Sequence, residues 1–278
     1  MKLLCTIADK EYLGRVLVLD ESRRTWYGES TLVALTLDEW SFERLSKLKN
    51  QNYVPGLEVV QFPGGGALES ARQTRNYREW VWTVKPHWIL EVMESLQPGD
   101  EVTYIDGDMM FFSHPASLFE ELKGHDIGIT PHRFSPSYER YVVNGNFNGA
   151  FVHVKNTPKA LICVTRWASQ CLELCSLKHQ GDAFVDQKYL NSWPDLYGAH
   201  SIVHKGVNLA PWNQGENHYR YEIRDGRIFV DDQPLILYHY HSGLVPGYPL
   251  DEFISQFVYR PYASALERAQ EVIAKCGS

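Results

Sequence analysis

The chain has 278 residues, 44% hydrophobic and 22% charged, an ordinary globular balance with room for one large domain or two small ones. A net charge of -7 excludes non-specific binding to nucleic acid, although a metal and a few local cations can still make a cleft attractive to an anionic small molecule. Five cysteines without paired spacing exclude a disulfide scaffold and fit a reducing compartment.

Residues 2–8 read as a short apolar strand. Tyr12, Leu13, Val16, Leu17 and Leu19 then recur at near-helical spacing, so residues 9–20 form a polar turn and a helix, the opening of an α/β fold. The N-terminal apolar run is too short for a signal peptide and no later run reaches membrane-spanning length, so a soluble, cytoplasmic protein is expected. Residues 31–37 form a second strand, with Asp38-Glu39 starting a helix over 40–48, and residues 57–62 form a third strand. The glycine loop 63–66 lacks a following Gly-Lys-Ser/Thr, which rejects a P-loop. Residues 68–96 are mostly helical with a break expected at Lys85-Pro86; they carry Arg72, Arg75, Arg78 and Lys85.

The stretch 101–115, EVTYIDGDMMFFSHP, organises the rest. An apolar strand delivers Asp106 and Asp108 to its end, with Gly107 between them to let the backbone turn. Two close carboxylates suit a hard divalent cation, Mn²⁺ or Mg²⁺. A helix over 115–122 and a strand over 126–130 follow. Asn144, Gly145, Asn146, Asn148 and Gly149 lead into an apolar strand ending near Val154. Residues 157–177 form a long helix capped by Thr157-Pro158. Its stripe of Cys163, Trp167, Cys171, Cys175 and His179 reads as helix core rather than a zinc site. A second helix over 182–191 holds Asp186 and Gln187 near its middle. A loop over 208–213, a hairpin turning at Asp225-Gly226 and a strand over 235–238 come next. That strand ends in His239-Tyr240-His241, and residues 250–274 are a helical tail. No repeat or linker divides the chain, so a single domain 1–278 is expected, with a nucleotide-binding half 1–114, an acceptor-side and metal-closing half 115–249 and the tail 250–278.

Asp106, Asp108 and one of His239 and His241 make a mixed carboxylate–imidazole set that Mn²⁺ accepts well. With that set in place, the order of motifs resembles a nucleotide-sugar glycosyltransferase of the GT-A type, similar to glycosyltransferase family 8 and its bacterial lipopolysaccharide relatives. The resemblance implies a Rossmann-like α/β domain with a mixed central sheet flanked by helices. Thr6, Ala8, Asp9 and Tyr12 resemble the family's nucleotide-facing strand and helix, and Lys85-Pro86 its Lys-Pro step. Asp106-Gly107-Asp108 matches the metal-binding Asp-x-Asp, Asn148-Gly149 the segment beside the donor sugar, Asp186-Gln187 the Asp-Gln helix, and His239-Tyr240 the motif that closes the metal site.

The chain departs from the pattern in three ways. His241 is an extra residue, with His239 the preferred ligand. No Lys follows Gly243, so another cation must meet the diphosphate, with Lys85 and Lys205 as candidates. Lys188 replaces the usual second Asp of the Asp-Gln helix. The resemblance implies transfer from a nucleotide-diphosphate sugar, with uracil as the base, to a glycan, lipid-linked or protein acceptor, with membrane contact at most peripheral. A bacterial surface glycan such as lipopolysaccharide leads. It also implies retention at the anomeric carbon, with Asp186 and Gln187 beside the oxocarbenium-like sugar; an inverting enzyme would use Asp186 as general base. Residues 138–147 and 205–217 are the acceptor-side loops. Two alternatives stand beside this reading. A haloacid-dehalogenase-type phosphatase also opens on a strand ending in Asp-x-Asp, but Met109-Met110 occupies the place of its Ser or Thr. A non-catalytic carbohydrate-binding protein would not need Asp106, Asp108, Gln187 and His239 all intact.

Overall fold

Strand β1 (Lys2–Ala8) is the axis of a seven-stranded sheet in the computed structural model, which describes all residues except 29, 181–182, 216–217, 242–248 and 277–278. The chain alternates β1, α1 (Leu13–Tyr27), β2 (Thr31–Thr36), α2 (Glu39–Asn50) and β3 (Leu57–Gln61). It continues through helices α3 (Gly66–Thr74) and α4 (Tyr77–Ser95) to β4 (Glu101–Ile105). β1, β2, β3 and β4 are mutually parallel, as strand–helix alternation requires. β5 (Met109–Phe111) leaves the sheet, and α5 (Ala116–Glu121) leads to β6 (Ile127–Pro131) and β7 (Phe147–Lys155). β7 inserts antiparallel between β4 and β6, which makes the sheet mixed. Its residues from Phe147 to Val154 are all buried, so they read as an apolar run rather than an alternation.

One core lies between the sheet and α1 together with the last helix (Arg260–Cys276); its members include Leu13, Val16, Leu17, Tyr262 and Ala265. The other lies under α4 and α6 (Pro158–Glu173), with Trp80, Val84, Trp88, Cys163 and Trp167. The buried free thiols Cys163, Cys171 and Cys175 belong to this packing. His179 lies beyond the end of α6, hydrogen-bonded at 3.0 Å to Asn144 Oδ1, and is not part of the stripe.

The helical break falls at Arg75-Asn76, ten residues before Pro86. Asn76 caps α4 through the Glu79 amide at 3.0 Å, and the Glu79 side chain returns the bond. Pro86 sits inside α4. An interior proline costs about 3 kcal/mol, while each large buried side chain contributes about 1.5–3 kcal/mol; Trp80, Val84, Trp88, Ile89 and Met93 therefore keep the helix continuous.

Beyond α6, a short α7 (Trp193–Tyr197) and β8 (His200–Ser201) complete the main sheet. β9 (Tyr221–Arg224) and β10 (Arg227–Val230) form the expected hairpin, with Asp225 and Gly226 both left-handed at φ 49° and 72°. β11 (Gln233–Pro234) joins them. β12 (Leu237–His239) then pairs antiparallel with β5, Leu237 opposite Phe111, Tyr238 opposite Met110 and His239 opposite Met109. Among the described residues no helix is long and apolar enough to cross a membrane.

Candidate active site

The register of the β5–β12 ribbon sets His239 across from the residue that follows Asp108, and the Tyr240 amide donates to the Asp108 carbonyl at 2.9 Å. Asp106, Asp108 and His239 each offer one ligand atom, all within 4.8 Å of one another. Among the described residues this three-donor group does not include His241, whose ring stands edge-on to His239 at 5.7 Å. Residues 242–248, Gly243 included, lie outside the described ones. Asp108 Oδ1 is 3.4 Å from His239 Nε2, and its Oδ2 is 3.8 Å from Arg15. Burial opposes ionisation of Asp108, but the imidazole and the guanidinium outweigh it and hold the carboxyl below its ordinary range.

Gly107 lies in the expected turn, closed by the Met109 amide on the Asp106 carbonyl at 3.2 Å, and it also allows a close approach. Its φ is not left-handed, and a Cβ there would lie 2.8 Å from Val16 Cγ2 of α1. The glycine lets the two carboxylates press against the first helix.

Lys85 projects from α4 into the interior and is 3% exposed. Its ammonium lies 3.2 Å from Asp106 Oδ1 and 2.9 Å from Asp186 Oδ2, and donates to the Gly149 carbonyl at 3.2 Å. Burial alone would lower its pKa; the two carboxylates reverse that and keep it charged. Burial pushes Asp186 upward, and Lys85 pulls against it. Gly149 makes this approach possible, since a Cβ there would lie 2.9 Å from Asp186 Oδ2.

Asp186 and Gln187 are not mid-helix. Asp186 precedes a short 3₁₀ turn, Gln187–Ser192, and Val185 before it is left-handed at φ 44°. The chain bends here because Trp167 Nε1 fixes the Asp186 carbonyl at 2.8 Å, which turns the carboxylate to Lys85. Gln187 donates to the Asn144 carbonyl at 3.1 Å and accepts from Asn148 Nδ2 at 3.3 Å. Asn148 Oδ1 accepts from Asn208 and from the Ala150 amide, and Nδ2 also donates to His132 Nε2 at 3.1 Å. Burial drops the His132 pKa to about 3, so this imidazole is neutral and accepts that bond. Lys188 lines a separate cavity of about 520 Å³ with Gln170, Tyr189 and Asn191.

At the end of β1 the Asp9 carboxylate accepts the amides of Glu11 and Tyr12 and the Tyr77 hydroxyl, at 2.8–2.9 Å. Burial raises its pKa against those bonds. Asp9 and Tyr12 thus sit at the mouth of the sheet, whereas Thr6 and Ala8 are wholly buried in β1 and turn no side chain outward. Lys205 pairs with Asp231 at 2.7 Å, away from the carboxylate cluster.

Sequence reasoning missed two groups. Arg15 follows Tyr12 by three positions, one helical turn, and its guanidinium covers the Tyr12 ring at 4.3 Å; that spacing was a usable signal. The second is a wall of rings. His132 stacks on Phe134 at 4.6 Å, and Trp212 stands edge-on to His239 at 5.5 Å while its Nε1 holds the His132 carbonyl. Only Trp212 falls in an expected acceptor-side loop, 205–217; His132 and Phe134 come from a distant loop that no local pattern marks.

Residues 29–194 match the family model described as nucleotide-diphospho-sugar transferase. The Bacillus subtilis (strain 168) protein YfnD is 29% identical over 277 residues, covering 95% of this chain and 88% of its own length. YfnF of the same organism is 31% identical over 253 residues, covering 85% and 80%. In fold the chain is similar to the galactosyltransferase LgtC, solved with donor and acceptor sugar analogs, at a TM-score of 0.61 and 14% identity over 96% of each chain. It is also similar to the glycosyltransferase GlyE of Streptococcus pneumoniae TIGR4, at 0.58 and 11%, over 99% of this chain and 63% of that one.

Proposed function

We propose, on the premise that this chain belongs to the nucleotide-diphospho-sugar transferase family and carries the GT-A glycosyltransferase fold, that it transfers a hexose from a uridine-diphosphate sugar to a glycan hydroxyl with a bound divalent cation. The observation that carries the reading is the convergence of Asp106, Asp108 and His239 within 4.8 Å, next to the buried Lys85–Asp186 pair. The donor set fits the cation: two carboxylates supply hard oxygens, and one imidazole favours Mn²⁺ over Mg²⁺. His239 faces Asp108 with Nε2 at 3.4 Å, and its other nitrogen, Nδ1, is buried with no hydrogen-bond partner. A cation held there would neutralise charge on the departing diphosphate without a proton.

The chain's own residues do the rest. Tyr12 and Asp9 frame the nucleoside at the end of β1. Lys85 fixes Asp106 on one side and Asp186 on the other, so the metal carboxylate and the sugar-facing carboxylate keep one geometry. Asp186 then presents negative charge to the anomeric carbon as positive charge develops there. Lys85 holds Asp186 Oδ2 at 2.9 Å, and the family likeness favours retention over inversion. Gln187, braced by Asn144 and Asn148, orients the sugar. Phe134, half-buried beside the buried Trp212, offers an aromatic face to the acceptor, which supports a glycan such as a bacterial surface polysaccharide over a protein.

The test is thermal denaturation with uridine, guanosine and adenosine diphosphates, each with Mn²⁺ and with chelator. A diphosphate at 100 times its dissociation constant stabilises the fold by about 2.7 kcal/mol. The shift should vanish with chelator and in Asp108→Asn. A folded protein that no diphosphate stabilises, with or without metal, sinks the proposal. Phosphate release from simple phosphomonoesters would restore the phosphatase alternative.

A further inference from the structure

We propose that Arg15 makes binding of the metal and binding of the diphosphate depend on each other, so that the site takes the two together and resists the metal alone. The inference rests on the metal-dependent donor site described above. Arg15 extends from α1, whose neighbouring residues Leu13 and Val16 are wholly buried, so the helix cannot swing away. Its guanidinium lies on the Tyr12 ring at 4.3 Å and reaches to 3.8 Å from Asp108 Oδ2. A permanent cation therefore stands against a carboxylate that must also ligate a divalent ion. Its side chain keeps 25% exposure, so the guanidinium is within reach of solvent and of a solvent-borne ligand.

The charge balance gives the consequence. Asp106, Asp108 and Asp186 face Lys85 and Arg15, and this cluster carries one net negative charge. A divalent ion turns it to one net positive, and without Arg15 the same ion would leave it neutral. Arg15 thus opposes a lone metal ion by like-charge repulsion at short range. The same surplus is answered when a diphosphate arrives, because a guanidinium pairs with phosphate oxygens in its fork geometry. Arg78 on α4 also acts on Tyr12 and His241 with the same sign; it adds to the surplus and leaves the difference made by Arg15 unchanged. Reciprocity then requires that the diphosphate raise metal affinity by the factor by which the metal raises diphosphate affinity.

The experiment is a titration of Mn²⁺, with free ion counted by electron paramagnetic resonance, into wild type, Arg15→Gln and Arg15→Lys. It is done without nucleotide and with each of uridine, guanosine and adenosine diphosphate. The expected result is opposite in sign for the two ligands. Arg15→Gln binds Mn²⁺ alone at least threefold tighter than wild type, and binds Mn²⁺ with diphosphate at least tenfold weaker. Arg15→Lys keeps the charge and retains most of the coupling, which also covers the case in which the glutamine variant folds poorly. A purely structural Arg15 would weaken both ligands together in Arg15→Gln, and that result, or unchanged coupling, overturns the inference while leaving the donor site intact. A wild type that binds neither Mn²⁺ nor any diphosphate overturns the donor site and this inference with it.

Discussion

Replacing Lys85 with Met keeps most of the stem's volume and removes the charge that two carboxylates share. Asp106 and Asp186 lie 3.2 and 2.9 Å from that ammonium, and Asp186 is 2% exposed. Removing one partner of a buried pair costs about 3–5 kcal/mol, because the other charge stays without compensation. That is a fifth or more of the stability of an ordinary domain, about 5–15 kcal/mol. The penalty carries a pH signature. Burial already pushes the Asp186 carboxyl up in wild type, with Lys85 pulling against it; without Lys85 only the upward push and the repulsion from Asp106 remain. A carboxyl whose folded pKa lies above its unfolded one binds more protons folded than unfolded, so stability rises as pH falls, by up to about 1.4 kcal/mol per pH unit. Urea denaturation of Lys85→Met at pH 6 and pH 8 should show a loss of about 3–5 kcal/mol at pH 8 that shrinks by at least 1 kcal/mol at pH 6. The double variant Lys85→Met/Asp186→Asn should recover about 2 kcal/mol of it. A loss below about 1 kcal/mol, or one that is equal at both pH values, refutes the shared-charge account.

Three further outcomes are expected. Gly149→Ala places a Cβ 2.9 Å from Asp186 Oδ2 with no backbone strain; donor transfer should fall about 100-fold while stability drops by only about 1–3 kcal/mol, and a variant with full turnover would show that Asp186 need not hold its position. His153 is buried in β7 against Thr103 Oγ1 at 2.9 Å, and burial drops its pKa from 6.5 to about 4. The unfolded chain takes that proton near pH 6.5 and the folded one only near pH 4, so stability is lost as pH falls between them, by about 2 kcal/mol from pH 6.5 to pH 5; His153→Gln should lose that much less in paired denaturation curves, and identical slopes would refute it. Asn76→Ala removes the α4 cap and should cost about 1 kcal/mol, read as a shift in urea midpoint with donor binding unchanged; a variant of wild-type stability would show that packing alone sets the start of α4.

The parallel half of the fold was legible because its signals are local. Apolar runs alternate with helical periodicity from Lys2 to Gln61, and Asp38 and Thr157 read as caps and act as such. Pro86 misled because propensity is a local quantity while burial of Trp80 and Trp88 is a tertiary one. The Asp-Gln segment misled for a related reason. Its bend is imposed by a hydrogen bond from Trp167, 19 residues away in sequence, that no window of residues contains. In the candidate site, Asp106, Asp108 and His239 were readable as metal-binding types, and their convergence is set by the β5–β12 register. Lys85 was readable as a cation worth moving inward, but its contact with Asp186 depends on the missing side chain at Gly149. Lys205 looked equally basic and is held instead by Asp231.

The β5–β12 ribbon has a consequence for synthesis. The Tyr240 side chain reaches Met110 across a separation of 130 residues, so the third residue of the candidate metal site is made long after the first two. At about 5–20 residues per second on the ribosome, the two carboxylates wait on the order of ten seconds for their histidine. During that interval a nascent chain presents an acidic pair with no partner imidazole. A chain that stops before Leu237 has β1 to β4 in full and lacks the histidine of the candidate metal site.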